Sequence, residues 1–208
     1  MGTIIYLGHA SFLIKSKAFD IVLDPYMKES VPGLKFPKGL VADKVFCSHD
    51  HYDHCAANLV SIKSNPQNVV TIESVVPHDK EGGKKRGMNM IRMFDVDGYK
   101  VVHLGDTGCV PPKDKLIKFI NCDVLLAPIN GFFTINPSEL KAICDIINPR
   151  IVVPMHYYMA EKNSGYPDGD MFNKFKKEFP NIKYIDKELD LEKYKEYKGA
   201  LVFKNYLQ

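Results

Sequence analysis

Apolar residues in the first fifty positions come in short β-type runs. Thr3-Ile4-Ile5-Tyr6-Leu7 is followed by Ser11-Phe12-Leu13-Ile14 and by Asp20-Ile21-Val22-Leu23, which closes at Asp24-Pro25. The spacing and the turn residues between these runs predict antiparallel strands. Residues 26–43 hold three Lys, two Gly and two Pro and read as a loop over one edge. Lys44-Val45-Phe46-Cys47 reads as a short buried strand. From Asp53 to Lys63 the pattern turns helical, with Asp53 placed as its cap.

The later part alternates strands and helices. Strands are expected over residues 100–104, 123–127 and 151–154. Helices are expected over residues 113–120, 136–147 and 168–179. Pro137 suits the first turn of the second helix. No short repeat is present. Strands first, then mixed strand and helix, predict an α/β (α+β) arrangement of two packed sheets with helices outside.

Composition narrows this picture only slightly. A chain of 208 residues with 45% hydrophobic and 25% charged residues fits one globular domain over 1–208, with enough core to need no staples. The net charge of +3, with only short basic patches such as Gly83-Lys84-Lys85-Arg86, is too small to imply nucleic acid as a partner. The opening MGTIIYLGHASFLI lacks a basic n-region and a cleavage site, and no run is apolar enough to span a membrane. The five cysteines are odd in number and form no C-x-x-C pair. A reducing cytoplasm is the default expectation.

The chemistry concentrates at residues 47–55, CSHDHYDHC. His49 and His51 are two apart, so their imidazoles share one side of an extended chain. A turn at Asp53 and His54 can swing both toward the same centre. Neutral imidazole and carboxylate are ligands for zinc and its first-row neighbours. Four ligands within six residues are too many for one open ion and suit two ions sharing a site. A solvated loop holding these residues by chance would not sit directly after a buried strand. Cys47 and Cys55 flank the motif, but the histidines already fill the positions, so both are expected to be small apolar residues and not ligands.

His49-x-His51-x-Asp53-His54 resembles the H-x-H-x-D-H signature of the metallo-β-lactamase fold superfamily. Gly105-Asp106-Thr107 and Pro154-Met155-His156 are similar to that superfamily's bridging aspartate and terminal histidine. Leu7-Gly8-His9-Ala10, Asp24-Pro25, the run from His78-Asp79-Lys80 to Arg86-Gly87, and Gly131-Phe132-Phe133-Thr134 resemble the small hydrolases related to L-ascorbate-6-phosphate lactonase. The resemblance implies a four-layer αββα sandwich. It implies one metal on His49, His51 and His78, a second on Asp53, His54 and His156, and Asp106 between them. Two divalent ions are implied, zinc or manganese, with iron also admitted. A bridging hydroxide would attack a small anionic ester, lactone or phosphoester, with Asp53 orienting the nucleophile or taking its proton.

Other residues are open at this level. His9 either donates to a ligand or touches substrate, or is a hydrogen-bonded structural histidine. Arg86 either grips a phosphate or carboxylate or belongs to a mobile charged loop. Asp24 either accepts a ligand histidine's second N–H or simply ends a strand. His103, three residues before Asp106, is expected on the opposite face in a structural role. Residues 160–170 are expected to shape the pocket. The competing functions are a phosphodiesterase or nuclease, and a non-catalytic metal-binding or sensor protein. Homo-oligomer formation stays open.

Overall fold

The structure is a computed structural model that describes residues 2–64 and 69–207. The first three apolar runs form β1 (Thr3–Gly8), β2 (Ser11–Lys15) and β3 (Asp20–Leu23), paired antiparallel in succession. The short β4 (Val41–Ala42) precedes β5 (Lys44–Phe46), which adds parallel to β3 and is only half-buried. β6 (Ser61–Ile62) pairs with β4 as a separate two-stranded ribbon.

A long hairpin follows, β7 (Val70–Pro77) and β8 (Met88–Val96), then β9 (Tyr99–His103). The single-turn α1 (Lys113–Leu116) leads to β10 (Val124–Pro128), α2 (Pro137–Ile147), β11 (Ile151–Met155) and α3 (Met171–Glu178). The chain ends with β12 (Ile182–Ile185), β13 (Glu188–Asp190) and β14 (Gly199–Phe203). The sheets run β13-β1-β2-β3-β5 and β12-β14-β11-β10-β9-β8-β7.

Strand alternation decides the layers. Ile4, Tyr6, Phe12, Ile14, Ile21 and Leu23 of the first sheet meet Phe94, Val101, Leu126 and Val153 of the second. The opposite face of the second sheet, with Val102, Leu125 and Val152, packs under Leu116, Leu140, Ile143 and Phe175 of the helices. The opposite face of the first sheet, with Leu7, Leu13 and Val22, is closed by Leu40, Ala42 and Val60. Among the described residues no α-helix covers that side; irregular chain and a 3-10 turn at Ala57–Leu59 do.

α2 starts as its sequence predicts. Pro137 stands in the first turn, and Asn136 and Glu139 bond each other's backbone N–H in a capping box. The helix expected over residues 53–63 does not form. His54 N–H and Cys55 N–H both donate to His51 O in a tight turn, and Asp53 caps nothing. The residues of the metal motif are committed to that turn, so only the 3-10 turn and β6 remain for the rest of the segment. No described helix is long and apolar enough to cross a membrane.

Candidate metal centre

Asp24 follows β3 with left-handed backbone, φ 42°. Its Oδ1 accepts the Ser48 N–H at 2.6 Å, and its Oδ2 accepts the Ser48 hydroxyl at 2.6 Å and His54 Nδ1 at 2.8 Å. Burial pushes the Asp24 carboxyl up, but His103 and then His54 outweigh it and hold it below the usual range. An ionised carboxylate only accepts, so His54 Nδ1 donates to it, which turns Nε2 inward toward the site. Ser48 Oγ, already donating to Asp24, accepts from His49 Nδ1 at 2.9 Å. His49 Nε2 is freed in the same way.

Three loops bring the remaining side chains in. β7 ends at Pro77, and His78 follows. β9 ends at His103, and Asp106 follows, its N–H held by Asn89 Oδ1 at 2.8 Å. β11 ends at Met155, and His156 follows with φ 52°; its N–H donates to His9 O at 2.9 Å. His9 also has positive φ, 58°. Three non-glycine site residues in this sparse region place backbone strain at the site. Gly105 has φ +53°, and a Cβ there would lie 2.2 Å from Asn89 Oδ1.

The ligand atoms form two main groups, linked by a third made of His49, His54 and Asp106. His49, His51 and His78 have ring nitrogens within 4.8 Å of one another, and His9, Asp53, His54 and His156 make a second set by the same measure. Asp106 stands at the seam: its Oδ2 is 3.1 Å from His54 Nε2, 3.2 Å from His156 Nε2 and 3.5 Å from His78 Nε2. The structure thus brings together all seven residues expected to hold metal, and places His9 among them. His9 Nε2 lies 3.4 Å from Asp53 Oδ2.

The donor set fits divalent cations. His9 Nε2, His49 Nε2, His51 Nδ1, His54 Nε2 and His78 Nε2 are buried without a well-aligned hydrogen bond, as is Asp106 Oδ1. Buried polar atoms without partners are costly, and six converging on one space call for a shared cation. Burial, then His54, pulls His49 down to about 3, and burial, then His156, does the same to His9. Both are therefore neutral, ligand-competent imidazoles at pH 7. Burial pushes Asp106 and Asp53 up, but the histidines around them outweigh it and hold both below the usual carboxylate range. Burial opposes charge on His54, yet Asp106 and then Asp24 raise its pKa.

Residues outside the sequence motif complete the site. Asp79 accepts backbone N–H groups from Glu81, Gly83, Lys85 and Arg86 at 2.7–2.9 Å. Against burial, these donors pull it to about 2. The nest shapes the loop after His78 and sends Arg86 over the Phe133 ring, 4.5 Å from its centroid, where its charge acts on His51 and His78. Lys85 pairs outward with Glu81. Tyr166 lines a cavity of about 520 Å³ with Met27, His51, Tyr52, Asp53 and Cys55. Its ring stacks on His156, its hydroxyl donates to Ser30 O, and burial followed by Asp53 raises it to about 12.

Ser48, Asn89 and Tyr166 were not visible as site residues in the sequence. An Asp directly after a ligand and before a Gly-rich turn was the available signal for Asp79. Of the two readings open for Asp24, the structure shows the first: it accepts a candidate ligand histidine's second N–H, that of His54. His103 is buried, with Nε2 2.9 Å from Ala10 O, in the structural place expected of it. Cys47 and Cys55 are not separate apolar residues: they form a disulfide, because the turn between them brings their Cα atoms to 5.1 Å.

The β-lactamase superfamily domain profile matches residues 3–156. A UPF0173 protein from Pyrococcus abyssi is 32% identical, over 74% of this chain and 82% of its own. A UPF0173 metal-dependent hydrolase from Caldivirga maquilingensis is 28% identical, over 76% of this chain and 82% of its own. A Thermotoga maritima structure, provisionally described as a Zn-dependent hydrolase of the metallo-β-lactamase superfamily, superposes with a TM-score of 0.72 at 26% identity, covering 98% of each chain. The chain therefore has the metallo-β-lactamase fold and belongs to the UPF0173 metal-dependent hydrolases of that superfamily.

Proposed function

We propose that the whole chain acts as one hydrolase domain with two divalent cations, zinc or manganese, with iron also admitted by the ligands. His49, His51 and His78 hold one; Asp53, His54 and His156 hold the other; Asp106 spans both. The observation that carries this reading is the convergence of unpartnered, buried imidazole nitrogens in two groups around one carboxylate. Bound there, the cations would supply a water of lowered pKa and a Lewis acid for the developing oxyanion.

The chain's own residues do the rest. Asp53, half-buried at the cavity wall, orients the attacking water and takes its proton. Arg86 has no carboxylate partner among the described residues, so its guanidinium is available to pair an anionic group. His9 limits how far Asp53 can turn. The Tyr166 hydroxyl remains a donor at neutral pH beside Asp53. The substrate class is a small anionic ester, lactone or phosphoester. The likeness of residues 7–10, 78–87 and 131–134 to the L-ascorbate-6-phosphate lactonase group supports a lactone. A cytoplasmic location, no membrane or nucleic-acid partner, and a homo-oligomer compatible with catalysis go with this reading.

The test is metal analysis of tag-free protein by plasma mass spectrometry, followed by turnover of ester, lactone and phosphoester panels with the metal found. About two ions per chain and an inactive Asp53→Ala variant are expected. Absence of metal after reloading would overturn the ligand assignment, and wild-type turnover in Asp53→Ala would overturn the role of that carboxylate.

A further inference from the structure

The ligand loop is closed by a covalent bond between two residues outside the candidate ligand set. Cys47 and Cys55 form a disulfide, and His49, His51, Asp53 and His54 all lie between them. Both cysteines are half-buried, and Cys55 lines the open cavity beside His51 and Asp53. The remaining thiols are not equivalent: burial pushes Cys122 and Cys144 up to about 12, and raises Cys109 as well.

The loop is anchored unevenly. At its start, Arg92 Nη1 donates to Cys47 O at 2.6 Å, and Ser48 is held by Asp24. Among residues 49–54, the one main-chain hydrogen bond to the rest of the described molecule is Met27 N–H to Tyr52 O, 2.9 Å. The other two bonds, into His51 O, are local. At its end, His54 Nδ1 is held by Asp24 Oδ2 at 2.8 Å and Ala56 N–H donates to Pro25 O at 2.8 Å, so His51 and Asp53 lie between these anchors and the covalent closure adds to the constraint on both.

We propose that Cys47–Cys55 is a redox modification site that latches the ligand loop, its disulfide form retaining the metal ions and its dithiol form releasing them. The proposal rests on the two-metal reading. Its chemical partner is a small monothiol and the corresponding disulfide, such as glutathione. A glutathione thiolate reaching the cavity attacks Cys55 Sγ; the Cys47–Cys55 bond breaks, and Cys47 leaves as a thiolate that takes up a proton. A second glutathione thiolate attacks the mixed disulfide, forms glutathione disulfide and frees Cys55, which is protonated in turn. Two glutathiones are oxidised for each protein disulfide reduced. In a reducing compartment such a bond is reversible and suited to sensing.

The experiment uses the full chain loaded with zinc and equilibrated in glutathione buffers of graded poise. Alkylation and intact-mass measurement report the state of the cysteine pair. Capture by a chromogenic chelator reports the rate of zinc release. The dithiol form should release zinc at least about ten-fold faster than the disulfide form, the scale of losing an outer support of a metal site. A Cys47→Ala/Cys55→Ala variant should release zinc at the dithiol rate in every buffer. Equal rates in the two forms would overturn the proposal. So would slower release from the dithiol form, or alkylation of both Cys47 and Cys55, located by peptide mass mapping, in fully oxidising buffer. Failure of the disulfide form to take up zinc would instead bring down the two-metal reading, and the latch with it.

Discussion

The loop from Cys47 to Cys55 and the loop from His78 to Gly87 both carry candidate ligands at the end of a strand, yet they are held by opposite means. The first depends on distant parts of the chain: Asp24, from the end of β3, grips Ser48 and His54, and a disulfide closes the two ends. The second is self-contained: Asp79 collects four backbone N–H groups from the eight residues that follow it. The first needs long-range support because four of its side chains must converge on one small buried space. The second presents a single histidine and one arginine, so a local nest suffices.

The largest effect expected is of pH on the metal-free protein. His49 in the first loop and His9 beside it are pulled to about 3. The unfolded chain binds their protons from about pH 6.5 downward, while the folded state refuses them until about 3. Stability should fall on acidification through that window, by on the order of 5 kcal/mol between pH 7 and 4. His54, with its raised pKa, acts above this window: its contribution is complete below about pH 6.5 and is lost as the pH rises. Urea midpoints of apo protein across this range measure the balance, and a flat profile would refute the burial of these imidazoles.

Asp24→Ala should come next. It strands the Ser48 N–H, the Ser48 hydroxyl and His54 Nδ1 in the core, costing about 3 kcal/mol and weakening metal binding about ten-fold or more. Urea unfolding and metal titration read the two effects separately. Packed against the second loop, Gly108→Ala would set a Cβ 2.2 Å from the backbone nitrogen of Asp79. Overpacking against main chain should cost about 2 kcal/mol, read as a lowered urea midpoint. Asp79→Ala should leave the first loop intact. It should speed hydrogen exchange at Gly83, Lys85 and Arg86 and lower turnover of anionic substrates, with metal content unchanged. Loss of metal in that variant would show that the two loops are not independent. Tyr166→Phe is the mildest change, about 1 kcal/mol for a lost hydroxyl bond, and thermal unfolding checks it.

The legible part of this molecule was local. β1, β2 and β3, the capping box of α2, and the H-x-H-x-D-H run are each written in contiguous residues. Other parts were hidden because their meaning is shared between distant segments. The β7–β8 hairpin alternates inward and outward, but β8 spaces Ile91, Phe94 and Val96 among Met, Asn, Arg and Asp, which carry little strand signal, and its Asn89 is buried to hold Asp106. The segment after Asp53 had a helical pattern that tertiary ties at His51 and Cys55 overrode. Tyr166 lay in a loop whose composition says only that it is a loop.

The sequence by itself determined the inventory: which side chains can bind a cation, and which strand ends carry them. Period and composition act over a few residues, so they decide that much. Only the tertiary structure decided that His49, His51 and His78 meet in one set and Asp53, His54 and His156 in another, that His9 joins the second, and that Asp24 orients His54. It also decided that Cys47 and Cys55 face each other. Those outcomes depend on how two sheets stack and where four loops converge, a geometry that no local run of residues contains.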